Sequence, residues 1–127
     1  MNEVKIIDQT IKFVKKELQN AEGGHDWFHI ERVYRNALLI SKTENVDRFV
    51  VSLGALLHDI ADAKFHKGDE TIGPKRARGF LTGIQKKLLN ERFVQNAPEK
   101  VIVLERKKES DTLAKINTIL TSLDRLK

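Results

Sequence analysis

The run Leu56-Leu57-His58-Asp59 ends an apolar stretch on two polar residues that packing does not need. Adjacent side chains on a helix point about 100° apart, so this pair makes a poor surface salt bridge. It makes sense if both residues reach one object in a cleft, and a divalent cation is the obvious object. Imidazole nitrogen with carboxylate oxygen suits Mn, Fe, Co, Ni or Zn. His29 lies near the start of the preceding helix. If the two helices are antiparallel neighbours, His29, His58 and Asp59 form a three-ligand set with open positions for water and substrate, as catalytic metals require. The bland alternative for so short a motif is one buried His beside one solvated Asp.

The elements that must position these residues are helical almost throughout, and the fold class expected is all-α. Ile7, Ile11, Val14 and Leu18 share one face of a first helix, which ends at Ala21-Glu22-Gly23-Gly24. Asp26 is placed to cap a second helix with the stripe Ile30, Val33, Ala37 and Ile40. A third, from about Arg48 to Ala61, is apolar nearly all round and is expected to be central and buried. A polar loop with Gly68 and Gly73-Pro74 leads to a short fourth helix, Lys75 to Ile84. From Gln85 the character changes, and after Pro98 one long charged helix runs from Glu99 to Leu126. Its apolar positions Leu113, Ile116, Leu120 and Leu123 are too few for a coiled coil.

The chain has 127 residues, 32% of them charged, and suits one modest core. It has no cysteine, which excludes disulfides and thiolate metal sites. No run is long enough to cross a bilayer and no signal-peptide core is present, so a cytoplasmic location is expected. The net charge is +5, and residues 85–127 carry most of it, with 10 Lys/Arg against 6 Asp/Glu.

Residues His25-Asp26-Trp27-Phe28-His29-Ile30-Glu31-Arg32-Val33 and then Leu56 to Phe65 resemble the HD-domain metal-dependent phosphohydrolases. The likeness covers about residues 1–84. It implies a compact helical domain that hydrolyses a phosphate ester, with a small phosphorylated substrate, often a nucleotide, as partner. By position, His29, His58 and Asp59 would hold a divalent metal (Mn, Fe, Co, Ni, Zn or Mg). Asp62 would help activate water, and His25 and Arg32 would contact phosphate. Lys64, His66, Lys67, Lys75 and Arg76 would extend a positive rim, or simply form a solvated basic face. The family's last ligand, an Asp in a DADRLDA-like segment, has no counterpart here. Asp124-Arg125-Leu126 is a faint echo, and Asp111 has no matching context.

The tail is similar to something else. Leu89 to Ile102 and the charged helix beyond resemble the second arm of the C-terminal helical hairpin of valyl-tRNA synthetases, over about residues 86–127. The antiparallel first arm is expected to be absent, and a junction of two pieces, as in a chimera, is expected near 84–86. The expected domains are a partial HD-type unit, 1–84, and a helical tail, 85–127. The tail helix must pack on residues 1–84 or pair with a second copy as a homodimer. A phosphohydrolase is the leading expectation. An inactive helical scaffold comes second. A tRNA-binding module working through Lys100, Arg106, Lys107, Lys108 and Lys115 comes third.

Overall fold

The computed structural model describes residues 2–21, 26–61, 71–94 and 99–125, with 91–94, 99–106, 109 and 124–125 as backbone only. Five helices and no strand occur among them: α1 (Glu3–Glu17), α2 (Trp27–Ser41), α3 (Arg48–Leu57), α4 (Ile72–Val94) and α5 (Glu99–Arg125). The all-α expectation holds. No helix among the described residues is long and apolar enough to cross a membrane.

Three helices start on side-chain caps that the sequence supplies. Asn2 accepts from the Lys5 amide, Asp26 from the His29 amide, and Asp47 from the amides of Phe49 and Val50. Each cap satisfies amides that the first helical turn would otherwise leave unpaired.

α3 is the central element. Phe49, Ser52, Leu53, Leu56 and Leu57 are all buried, and α1, α2 and α5 pack against it. The buried Ser52 hydroxyl donates to the Arg48 carbonyl at 2.7 Å, so its burial leaves no unpaired donor. The inward face of α1 is Ile6, Thr10, Val14 and Leu18, with Ile7 and Ile11 only partly covered. Val14 and Leu18 lie where the stripe was expected, but its first two positions shift from Ile7 and Ile11 to Ile6 and Thr10, and Thr10 can be buried because its hydroxyl donates to the Ile6 carbonyl at 2.7 Å. On α2 the expected stripe fails at its end. Ile30 is fully buried, but Ile40 is 63% exposed, and the helix turns Ser41 inward instead.

α4 runs well past Ile84, where a stop was expected, and reaches Val94. Ala77, Leu81, Ile84 and Leu88 keep a single buried line across the change in composition at Gln85. α5 answers with Thr112, Ile116, Ile119 and Leu120. Pro74 lies near Leu123, and Gln85 donates to Asn117 at 2.7 Å, so α4 and α5 form an antiparallel hairpin. α1 is tied to α4 by Phe13 stacked on Phe80 at 4.3 Å, and by Arg76 donating to Glu17 at 2.9 Å. α5 thus packs on α3 and α4.

Ile116 is fully buried on α5. Ile116→Ala should destabilise the protein by about 2–4 kcal/mol, the cost of a core cavity. The measurement is urea unfolding followed by circular dichroism, in which wild type and variant should both give one transition.

Candidate metal centre and basic helical arm

Asp26 caps α2 by accepting from the His29 amide at 3.1 Å, which sets His29 in the first turn of that helix. His58 is the C-cap of α3, and Asp59 follows it. Because α2 and α3 run antiparallel side by side, the start of one meets the end of the other. One ligand atom from each of His29, His58 and Asp59 lies within 4.8 Å of the others. His29 Nε2 is 3.9 Å from Asp59 Oδ2, and the two imidazole rings are 5.6 Å apart.

The donor chemistry of this set fits a divalent cation. His58 Nδ1 lies 2.6 Å from the Ala55 carbonyl, which can only accept, so Nδ1 carries the proton. That fixes the tautomer and leaves the Nε2 lone pair for a metal, the usual arrangement for a ligating His. Asp59 and His29 are both partly exposed, which leaves room for water at further coordination positions.

The other sites expected from the sequence fare differently. His25 and Asp62 lie outside the described residues, as do Lys64, His66 and Lys67. Arg32 is exposed on α2, one turn beyond His29. Arg76 is bound to Glu17 rather than held open on a rim. Asp111 is exposed on α5 and does not join the three-residue group.

The basic residues of the hairpin divide into two sets. Lys86, Lys87, Lys107 and Lys108 are exposed. Lys115 turns inward instead. Its ammonium lies 2.7 Å from Glu3 Oε1 and 3.0 Å from Asp47 Oδ2, and 5.6 Å from the centre of the Phe49 ring. Lys115 is a candidate nucleic-acid contact by sequence, but its charge is neutralised within the fold. Nothing local announces this, since Glu3 is 112 residues away along the chain. Lys100 and Arg106 have side chains outside the described set.

This ion cluster is electrostatically consistent. The bond to Glu3 is the main cause holding Lys115 above its ordinary value of 10.5; burial opposes it and Asp47 adds to it. Burial pushes Asp47 up, but the bond and charge of Lys115 and the amides of Val50 and Phe49 together hold it below the ordinary 3.8.

With the geometry established, the likeness to known proteins falls into place. Residues 75–127 match the family described as the valyl tRNA synthetase tRNA binding arm. The valine–tRNA ligase of Bacteroides fragilis is 38% identical over 92 residues, 72% of this chain and 10% of the ligase. That of Bacteroides thetaiotaomicron is 45% identical over 90 residues, 68% of this chain and 10% of the ligase. The uncharacterized protein YpgQ of Bacillus subtilis is 39% identical over 64 residues, half of this chain and 31% of that protein. The chain therefore spans about a tenth of the ligases and under a third of YpgQ. No solved structure matches it.

These findings correct the leading expectation. The matched family is a tRNA-binding arm, so the HD-type phosphohydrolase with a nucleotide substrate is overturned as the function, and with it the enzyme assignment. Placing tRNA below a small phosphorylated substrate is overturned in the same way. The physical reason lies after Ile84. There the chain continues into a helical hairpin packed through Leu88, Ile116, Ile119 and Leu120, with Thr112 buried beside them and Lys115 turned inward, and among the described residues it brings no further carboxylate to His29, His58 and Asp59. The family match begins at residue 75 rather than 86, so it takes in most of α4 as well as α5, and the chain does carry an antiparallel helix ahead of α5 where none was expected. An alignment of 92 residues is also longer than the segment from 75 onward, so the likeness to the ligase reaches back across α3.

The Asp47–Lys115 pair gives stability a defined pH dependence. A depressed carboxylate contributes stability above its ordinary value of 3.8, which is lost as pH falls through the lower folded value. A raised ammonium contributes below 10.5, which is lost as pH rises through the higher folded value. Asp47→Asn keeps a capping oxygen but removes the charge. It should lower stability at neutral pH and make the acid limb, below about pH 4, shallower than in wild type. Urea midpoints across the pH range measure this.

Proposed function

We propose that the chain is a tRNA-binding helical arm, with the α4–α5 hairpin as the binding element. The carrying observation is the match of residues 75–127 to the tRNA-binding arm family. The exposed lysines 86, 87, 107 and 108 support it, since phosphate contacts from such side chains supply most sequence-independent affinity. The α1–α3 bundle acts as the platform: it covers the apolar stripe of α5 and leaves the outer hairpin surface to the RNA. With tRNA as partner, the chain works in the cytoplasm.

Charge reversal tests this. Lys86→Glu with Lys87→Glu, and Lys107→Glu with Lys108→Glu, should each weaken tRNA retention at low salt by at least about tenfold. Each should also flatten the dependence of log affinity on log salt, by about 0.7–0.9 for every phosphate left without its lysine. Lys12→Glu with Lys16→Glu, the same charge change on exposed positions of α1, should leave binding within about twofold. No retention of tRNA by the unaltered chain at low salt would remove the proposal.

The bundle carries a second proposed feature. His29, His58 and Asp59 hold a divalent cation, on the strength of their mutual distances and the proton placed on His58 Nδ1. The cation would join the first turn of α2 to the end of α3 and so stiffen the platform under the arm. Added Zn or Mn should raise the unfolding temperature of the chain. At a hundredfold excess over the dissociation constant the gain is about 2.7 kcal/mol. His58→Ala should abolish the rise, and elemental analysis should find bound metal in the unaltered chain only. A metal-induced rise that survives His58→Ala would place the cation elsewhere.

A further inference from the structure

α1 carries two apolar lines. Ile6, Val14 and Leu18 face the core. Val4, Ile7 and Ile11 form a second line at 3-4 spacing, and the fold leaves it open: Val4 is 70% exposed, and Ile7 and Ile11 are only partly covered. This line borders a groove of about 440 Å³ that remains where α1 and α2 both rest on α3. Tyr34 and Leu38 of α2 line it as well, and the buried Phe49 of α3 lies at its base. The lining comes from α1, α2 and α3 alone.

Charge narrows what can cover this groove. The charged residues that line it are Glu3, Asp8 and Arg48. Glu3 is already held by Lys115 at 2.7 Å. That leaves one exposed carboxylate, Asp8 on α1, and one exposed guanidinium, Arg48 on α3. A nucleic acid or an anionic lipid surface brings a single sign of charge and would be repelled by Asp8. Residues 1–61, which hold all three lining helices, carry 8 Lys/Arg against 9 Asp/Glu, whereas residues 62–127 carry 15 against 9. The face is near neutral and mixed in sign. It calls for apolar side chains accompanied by one charge of each sign, and the chain itself presents such a face. In a two-fold pair every contact from one residue to another is matched by its reciprocal, so Asp8 and Arg48 meet twice while the apolar lines cover each other.

We propose that the groove is a self-association surface, in which the α1 edge of each copy lies over the α2–α3 side of a second copy and Asp8 pairs with the partner's Arg48. The second apolar line of α1, which its own bundle leaves in water, is then buried. The pairing uses no residue that lines the hairpin, and it is independent of the tRNA reading.

Sedimentation equilibrium of the full chain tests this. The mass should pass from the 14.6 kDa of one chain to twice that value as concentration rises from about 1 μM to about 1 mM. Val4→Glu places a charge in the apolar contact, at a position too exposed to matter to the monomer. It should weaken association by at least about tenfold with an unchanged circular dichroism spectrum. Asp8→Arg and Arg48→Asp each set like charges together at both contacts, and each should weaken association by at least about tenfold. The chain carrying both reversals should return to within about threefold of the unaltered one. Asp111→Arg, the same charge change at an exposed position of α5, should leave association within about twofold. A chain that stays monomeric to about 1 mM, a dimer that withstands Val4→Glu and both single reversals, or a double reversal as weak as the single ones would each overturn the proposal.

Discussion

A 27-residue helix with one narrow apolar stripe is not stable alone in water, and the fold answers that constraint. Ile116, Ile119 and Leu120 of α5 must be covered, and α3 and α4 cover them. Much of the rest follows. α4 has to continue to Val94 to supply an antiparallel partner of comparable length. α3 has to be apolar on several sides, because it meets α1 and α2 as well as α5. Its burial of Leu53 and Leu56 is complete, and its buried Ser52 hydroxyl is satisfied locally.

The Lys115 cluster sets the register of this packing. Apolar stripes slide with little penalty, since one Leu resembles the next. A lysine that must meet Glu3 of α1 and the capping Asp47 of α3 at once cannot shift by a turn. Asp47 is then both the start of α3 and the anchor of α5. An exposed ion pair contributes little to stability. Here two carboxylates and an aromatic ring gather around one partly covered ammonium, and that geometry is better suited to choosing one arrangement over its neighbours than to adding stability. The same division sorts the arm's positive charge, with one lysine turned inward and others left on the outer surface.

How much of this is legible in the sequence depends on the range of the interaction. Helical periodicity is local, so the all-α class, the cap Asp26 and the start of α5 near Glu99 can be read directly. The approach of His29 to His58 and Asp59 requires only that two adjacent helices be antiparallel, which their short connection favours. The buried lines of α1 and α2 keep Val14, Leu18 and Ile30 but otherwise depart from hydropathy, which discounts Thr10 and Ser41, each with its hydroxyl engaged by a backbone carbonyl within its own helix. The end of α4 is hidden because a change in composition at Gln85 imitates a structural break. Charged residues on the outer face change there, while the inner line of Leu81, Ile84 and Leu88 continues. The functional misreading has the same root. A motif of three polar residues outweighs a hairpin whose leading helix is expected to stop at Ile84 and so to be missing, though α4 runs on to Val94. The Lys115 contacts lie beyond any sequence signal, because they join positions distant along the chain.

α3 is where the separate features meet. Its N-terminus is capped by the carboxylate that anchors the arm, its C-terminus carries His58, and the face between them lines a cavity against α5. It is only ten residues long, and Phe49, Ser52, Leu53, Leu56 and Leu57 are all buried. Anything that stiffens its C-terminal end acts on the surface against which α5 rests. A cation between α2 and α3 would do so. The arm's own contacts to RNA would lie on the far surface of the hairpin, so the two do not compete for space. Coupling between platform and arm then has to travel through the packing of α5 on α3, and its size is bounded by how much that packing differs between the free and occupied states.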